Sequence, residues 1–290
     1  MTMKKMTILF PGSYMNYHVI DDDMSEEFQA AEKTELFNTV LFNYDNWLAG
    51  DKLKLTDHGN ISNPVIYRGW MLKPEEYQRL YEELDTNGIH LLTKPEAYSN
   101  MHLFQNVYPL IKDDAAKMIY FPDKKVDLET VKSHFNRFMV KDSVKSVKGT
   151  EFPAYFDQST SQAEFDEAMK TFYKYRGNLL TGGICVKEYL NLKRYDGVTN
   201  EFRVFYANGK IISVSTNSKQ PESVNKLPME LAEKYHGLNS PYYTIDYAEL
   251  EDGSWKIIEA GDGSVSGLSV GQDAVEYYQA IYHAFVELTD

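Results

Sequence analysis

The residues best placed for chemistry lie in the stretch YTIDYAELEDGSWKIIEAGDGS, and among its acids are Asp246, Glu259 and Asp262. Its pattern predicts a hairpin, with strands Tyr243 to Leu250 and Trp255 to Ala260 joined across Glu251, Asp252 and Gly253. Asp246 and Glu259 each follow an apolar residue on strands that pair around the turn, so both are expected on one face. Asp262 follows Gly261 and is expected to curl back toward them. Three such oxygen ligands suit magnesium, which takes a few carboxylates and completes its shell with phosphate and water oxygens. The same letters also read as an ordinary GDGS turn beside a strand-end surface charge, since an inward carboxylate is costly without a partner.

The complementary charge comes earlier. From Lys112 to Lys148 there are nine Lys or Arg against six Asp or Glu, in a chain of net charge -13. Within it, Val140-Lys141 ends a strand and leads into a loop carrying Lys145, Ser146, Lys148 and Gly149. Compact cations and flexible backbone N–H groups are what nucleotide phosphates require. A solvated, lysine-rich turn is the plain alternative. The G-x-x-x-x-G-K-[ST] phosphate loop is absent. Further on, Glu188, Tyr189 and Leu190 in VKEYLNL offer a strand edge to an adenine ring, beside an apolar slot. Arg203 alternates with Phe202 and Val204 and so points away from their apolar side, where it could clamp a phosphate with two donors. Each charge alone also reads as a solvent-facing strand residue.

These groups need elements to hold them. Met6 to Phe10, Phe37 to Phe42 and Pro64 to Trp70 read as strands. A helix opens at Pro74, with Tyr77, Leu80, Tyr81 and Leu84 on one face, and Ile89 to Leu92 reads as a returning strand. Ala97 to Pro109 is expected to be helical, then loop. Lys117 to Phe121 and Arg137 to Lys141 follow as strands, separated by a helix that Asp127 caps. Gln162 to Tyr175 is another helix. Strands Ile184 to Leu190 and Glu201 to Ala207 come next; Asn208-Gly209 then turns the chain into Lys210 to Ser215. A last helix runs from about Ala274 to Leu288. The expectation is an α+β (α/β) chain with an N-terminal α/β lobe, 1–112, and two β-rich, helix-backed lobes, 113–185 and 186–290.

Composition removes several classes. The negative charge argues against a general binder of nucleic acid or anionic membrane. No run of the sequence reaches membrane-spanning length, and the first apolar run is too short for a signal peptide, so a cytoplasmic protein is expected. The single cysteine, Cys185, rules out an internal disulfide and sits in an apolar run, as a small buried hydrophobe would. No Ser/His/Asp order or metalloprotease motif stands out.

Taken in order, FMVKD, the lysine/glycine loop, VKEYL, EFRVFYANGKIISVS and TIDYAELEDGSWKIIEAGDG resemble the ATP-grasp superfamily, over about Lys117 to Leu268. The EFRVF–NGK–IISVS hairpin is similar to the ribosomal-protein glutamate ligase branch. YRGWMLKPEEYQRLYEEL, with LLTKPEAYSNMH after it, looks like the lobe that precedes the ATP-grasp unit in an uncharacterised bacterial and phage branch. The resemblance implies an ATP-grasp fold with a pre-ATP-grasp-like lobe, and ATP and Mg²⁺ as cofactors. It implies that Lys117 and Lys141 contact phosphates and the adenine edge, and that Lys145, Ser146 and Gly149 cover the phosphates. Lys187, Glu188, Tyr189 and Leu190 line the nucleotide, Arg203 faces the transferred phosphate, and Asp246, Glu259 and Asp262 hold magnesium. Lys141 and Arg203 are then the catalytic pair. The usual last metal motif is Glu-x-Asn, whereas Glu259-Ala-Gly-Asp262 stands here, one residue longer. The implied activity is a carboxylate–amine ligase acting through an acyl-phosphate on a small-molecule or peptide substrate. A eukaryotic relative that acts as an assembly factor for a translation complex leaves a second expectation open, an ATP-binding module with a protein partner and no ligation.

Overall fold

The computed structural model describes residues 4–147, 149–216 and 219–289. The chain opens with a parallel sheet of β1 (Met6–Pro11), β2 (Phe37–Phe42) and β3 (Val65–Tyr67), in the order β2-β1-β3. All of β1 is buried because it separates two cores. Met6, Ile8 and Phe10 face one core and Leu9 the other. A strand covered on both faces reads as an unbroken apolar run. Helices α1 (Ser25–Lys33), α2 (Tyr44–Leu48) and α3 (Pro74–Thr86) complete this part, α3 beginning at its proline. The strand expected at Ile89 to Leu92 reduces to one bridge, Val65 to Leu91. Its would-be partner β3 is only three residues long and gives way to Arg68, which turns into the interior.

Helices α4 (Pro95–His102) and α5 (Phe104–Ile111) carry the chain across. Met101, Phe104, Val107 and Ile111 pack against Val204, Tyr206, Ile245 and Tyr247 of the last sheet, while Tyr98 stays with the first. Two antiparallel sheets follow. One comprises β4 (Met118–Phe121), β5 (Arg137–Asp142), β6 (Phe156–Asp157) and β7 (Ile184–Glu188), ordered β4-β7-β5-β6. Helices α6 (Leu128–His134) and α7 (Gln162–Arg176) cover its back, where Phe138, Val140, Ile184 and Val186 are buried. Asp127 caps α6 by accepting from the Glu129 and Thr130 N–H groups, and Ser161 with Glu164 forms a capping box on α7.

A two-stranded ribbon, β8 (Arg194–Tyr195) and β9 (Val198–Thr199), leads to the other sheet. This holds β10 (Glu201–Ala207), β11 (Lys210–Thr216), β12 (Tyr242–Glu249) and β13 (Trp255–Asp262), ordered β11-β10-β12-β13. Asn208 and Gly209 both take positive φ in the β10–β11 turn, which their residue types favour. Short α8 (Met229–Glu233) precedes β12. The last helix, α9 (Ala274–Phe285), returns to the start of the chain and packs Tyr278, Ile281 and Tyr282 against Phe10 and Phe37. Among the described residues no helix is long and apolar enough to cross a membrane.

Candidate functional site

Strand alternation builds the site from the front faces of the two antiparallel sheets. In β5, Phe138 and Val140 point back into the core, so Met139 and Lys141 point forward. In β7, Ile184 and Val186 point back, so Cys185 and Lys187 point forward. Met139 pairs with Lys187 and Lys141 with Cys185. On the facing sheet, Arg203, Asp246 and Glu259 stand opposite one another across β10, β12 and β13. The cleft between holds about 1220 Å³, with Arg68 to Met71 of the first lobe on its third side.

The two faces are joined by ion pairs. Lys141, 3% exposed, donates to Glu259 Oε1 at 2.6 Å; Glu259 is half-exposed to the cleft. Burial favours the neutral acid at Glu259, but Lys141 and Lys187 outweigh it and hold the carboxyl below its ordinary value. Arg203 grips Asp246 with two parallel bonds, Nε to Oδ1 at 2.8 Å and NH2 to Oδ2 at 2.6 Å. Lys187 is buried, donates to the carbonyl of Ile258 and lies 4.0 Å from the centre of the Phe104 ring. Burial lowers its pKa to about 8 against the pull of Glu259, and Lys141 adds to the lowering. Burial and the neighbouring Lys141 also lower Lys145, although Glu259 opposes this. Three ammonium groups, with neighbouring acids that satisfy them only in part, leave positive charge on this wall that an anion could meet.

Ten of the residues expected from sequence line this cleft: Lys141, Lys145, Ser146, Lys187, Glu188, Tyr189, Leu190, Arg203, Asp246 and Glu259. Three do not. The Lys117 side chain is exposed and away from the cleft; its backbone N–H instead donates to Glu188 Oε1 at 2.8 Å, fixing the end of β7. Gly149 is exposed, with φ of +71°, beyond the stretch of loop that reaches the cleft. Lys148 lies outside the described residues. Asp262 is fully buried, with one oxygen accepting from the Ser264 N–H at 2.9 Å and the other without a partner. Strand β13 does not stop at Glu259 but runs through Asp262, so a three-residue spacing sends the two acids to opposite faces. Burial, opposed by the Ser264 bond and Arg68, pushes the Asp262 pKa up to about 7. Among the described residues no three His, Cys, Asp or Glu side chains converge as a metal set.

Asp142, Arg68 and His102, in or beside the cleft, were not singled out from sequence. Asp142, fully buried, anchors the loop that carries Lys145. Its Oδ1 accepts from the N–H groups of Val144 and Lys145 at 2.8 and 2.7 Å, and its Oδ2 accepts from Arg176 Nε at 2.7 Å. The Asp-Ser that ends the VKDS run is an Asx-turn signature and was the available signal. Arg68 has no such local mark. It is 2% exposed, pairs through two bonds with Glu27 and donates to the carbonyls of Gly263 and Ser266. His102 lines the cleft stacked on Tyr98, and burial, with Lys145 and Lys141, lowers its pKa to about 4. Cys185 is buried and its thiol pKa is pushed up to about 12 chiefly by burial, so it is inert at neutral pH.

A family profile described as an ATP-grasp domain, the third family of its clade, matches residues 131–281, over half of the chain. The chain belongs to the ATP-grasp family. The match spans most of both antiparallel sheets and every cleft lysine named above. Solved ATP-grasp structures share the fold at low identity. D-alanyl-alanine synthetase A from Vibrio cholerae is 14% identical, with a TM-score of 0.60 over 98% of this chain and 100% of that one. The ATP-grasp ligase PsnB, solved with a minimal precursor, Mg and ADP, is 11% identical, with a TM-score of 0.56 over 96% and 97%. The D-alanine–D-alanine ligase from Bacillus anthracis, complexed with ATP, is 12% identical, with a TM-score of 0.57 over 98% of each chain. No curated protein sequence matches the chain.

As a test of fit, the buried Lys141 and Lys187 of this ATP-grasp chain suit phosphate oxygens. Asp246 and Glu259, directly opposed on neighbouring strands, offer two carboxylates to a magnesium ion whose remaining ligands come from phosphate and water.

Proposed function

We propose that this protein is an ATP- and Mg²⁺-dependent carboxylate–amine ligase. The observation that carries the reading is the facing of two charge sets across one cleft, Lys141, Lys145 and Lys187 on one sheet and Arg203, Asp246 and Glu259 on the other. The ligases among its structural neighbours, including one solved with a precursor peptide, support the same class. So does the likeness of its EFRVF–NGK–IISVS hairpin to ribosomal-protein glutamate ligases.

Bound MgATP supplies a transferable phosphoryl group whose charge the metal screens. Asp246 and Glu259 would hold the metal, and Glu259 so engaged would free Lys141 for the phosphates. Lys141 and Lys187, themselves buried, neutralise phosphate oxygens from positions shielded from water, where each charge acts strongly. Lys145 closes from the loop that Asp142 pins. Glu188, Tyr189 and Leu190 present the chain edge to the base. Arg203, already oriented by Asp246, faces the transferred group. A substrate carboxylate oxygen attacks the γ-phosphorus, the bond to the ADP oxygen breaks, and an acyl-phosphate forms. The acceptor nitrogen then attacks the acyl carbon, inorganic phosphate leaves, and the nitrogen loses a proton to water. Catalysis is positioning and charge neutralisation, and no side chain becomes a covalent carrier.

The test is release of ADP in the presence of Mg²⁺ against a panel of amino acids and peptides. Release that depends on an added carboxylate and amine supports ligation. Tight ATP binding without turnover across the panel, together with a co-purifying protein, moves the reading to a nucleotide-dependent binding module.

A further inference from the structure

A cleft of about 1220 Å³ exceeds the roughly 300–1,000 Å³ of a site for one small molecule, so a second ligand has room beside a nucleotide. Its first-lobe wall carries Met24, Tyr44, Trp70 and Met71. Tyr44 follows β2, and Trp70 and Met71 follow β3, so this part of the wall stands at the carboxyl ends of parallel strands. That edge of an open α/β sheet is where ligands bind.

The charges on this wall are already matched. Arg68 aims Nε and Nη2 at the two oxygens of Glu27, each at 2.7 Å, and Nη1 donates to the carbonyls of Gly263 and Ser266 at 2.8 and 2.6 Å. Glu27 also accepts from the Tyr278 hydroxyl at 2.7 Å. All three guanidinium nitrogens and both carboxylate oxygens are engaged, so neither residue is free to pair with a charged ligand. What the wall offers instead is two aromatic rings and two thioethers.

These side chains stand on a fixed frame. The Arg68 N–H donates to the Leu9 carbonyl at 2.9 Å and the Gly69 N–H to that of Ser264 at 3.0 Å. The Tyr67 hydroxyl holds the Trp70 carbonyl at 2.7 Å, and the Tyr98 hydroxyl holds both the N–H and the carbonyl of Leu72. Gly69 leaves no space for a side chain, since a Cβ there would lie 2.9 Å from Pro11 Cδ. Between these anchored neighbours Met71 stays 39% exposed, and Trp70 is only partly covered by the first-lobe core. Adjacent apolar side chains kept open to water by a rigid frame mark a binding surface, and thioethers adapt to varied apolar shapes.

We propose that the substrate at this end of the cleft is recognised by an aromatic or large aliphatic side chain laid against Trp70 and Met71. The substrate class is an apolar amino acid, or a peptide with such a residue at the point of ligation. That the molecule is ligated rests on the ligase reading; recognition of its side chain does not.

The experiment is calorimetric titration of the full chain, with and without saturating Mg²⁺ and a non-hydrolysable ATP analogue. The ligands are phenylalanine, leucine, alanine, glutamate and lysine, each as the free amino acid, the N-acetyl acid and the amide, so that both a carboxylate and an amine are offered. In at least one form, phenylalanine and leucine are expected to bind at least about tenfold more tightly than the other three. Trp70→Ala should bring that preference to within about twofold, and Met71→Gln, at an exposed position, should reduce it severalfold. Melting curves and MgATP affinity check that the variants fold. Absence of the preference in every form overturns the proposal, as does an unchanged preference in the folded variants. ADP release with the same ligands is measured separately. Selective binding of phenylalanine and leucine without such release leaves the recognition standing and counts against the ligase reading instead.

Discussion

Glu259→Gln separates the roles of one carboxylate by sign. In the ligand-free chain Glu259 accepts from Lys141 at 2.6 Å, and glutamine keeps an acceptor there while removing the charge. Hydrogen bonds to charged groups contribute about 1.5–3 kcal/mol and neutral ones about 0.5–1.5. The difference shrinks because Glu259 is half-exposed, so a loss of about 1 kcal/mol is expected. In a chain of this size that lowers Tm by about 2–4 °C. Nucleotide binding should move in two directions. Without magnesium, Glu259 repels phosphates and competes with them for Lys141, so its neutralisation should tighten ATP binding in chelator by about fivefold, or ~1 kcal/mol. With magnesium, a ligand is lost where charge develops, and turnover should fall about a hundredfold, or ~3 kcal/mol. A melting curve reads the first effect, titration calorimetry with ATP in excess EDTA the second, and a coupled ADP-release assay with Mg²⁺ the third. A folded Glu259→Gln chain with wild-type turnover, or with weaker metal-free ATP binding, would refute this account of the site.

Lys141→Ala should weaken MgATP binding at least tenfold, or about 1.4 kcal/mol, whereas Lys124→Ala, in an exposed turn, should leave it within about twofold; equal affinities remove Lys141 from the site. Lys117→Ala should also stay within about twofold, because only its backbone is engaged, and a large loss in the same titration would return its side chain to the cleft. ATP should raise Tm only when Mg²⁺ is present, because Asp246 and Glu259 otherwise oppose the phosphates; equal stabilisation in excess chelator counts against a metal there. Asp262 gives a pH signature. From the ordinary Asp value up to about 7 the folded chain retains a proton that the unfolded chain has released, so stability falls as pH rises through that window. Asp262→Asn keeps an acceptor for Ser264 and should flatten that slope, stabilising the chain at pH 8 by on the order of 2–4 kcal/mol with little change at pH 4. Destabilisation at pH 8, or loss of Mg²⁺-dependent ATP binding, would return Asp262 to the metal site.

Much of the lining of the cleft was legible because it follows from alternation and turn chemistry. Arg203 between Phe202 and Val204, and Lys141 after Val140, are placed by period two, and Asn208-Gly209 fixes the hairpin that carries Arg203. Asp262 was misplaced for the same reason that Arg203 was placed well. The glycine before it suggested a turn, yet β13 continues, and a strand two residues longer reverses which acids share a face. Lys117 failed because a lysine at a strand start has no local mark of whether its side chain or its amide is in use. Tyr44, Arg68 and Glu27 come from parts of the chain that meet the cleft only through folding of the first lobe. Arg68 and Gly263 are far apart in sequence, and their bond leaves no periodic trace.

The return of α9 to the first sheet sets an order for biosynthesis. Met6, Ile8, Phe10 and Phe37 leave the ribosome well before Tyr278, Ile281 and Tyr282, which pack against them, are made. At ordinary elongation rates that interval is on the order of tens of seconds. Through that interval the nascent first lobe has only α1, through Phe28, Ala30 and Ala31, over this apolar face. Chaperone engagement should be concentrated in that interval, and ribosome-bound chains halted before residue 274 should be protease-sensitive in a segment that the finished chain protects.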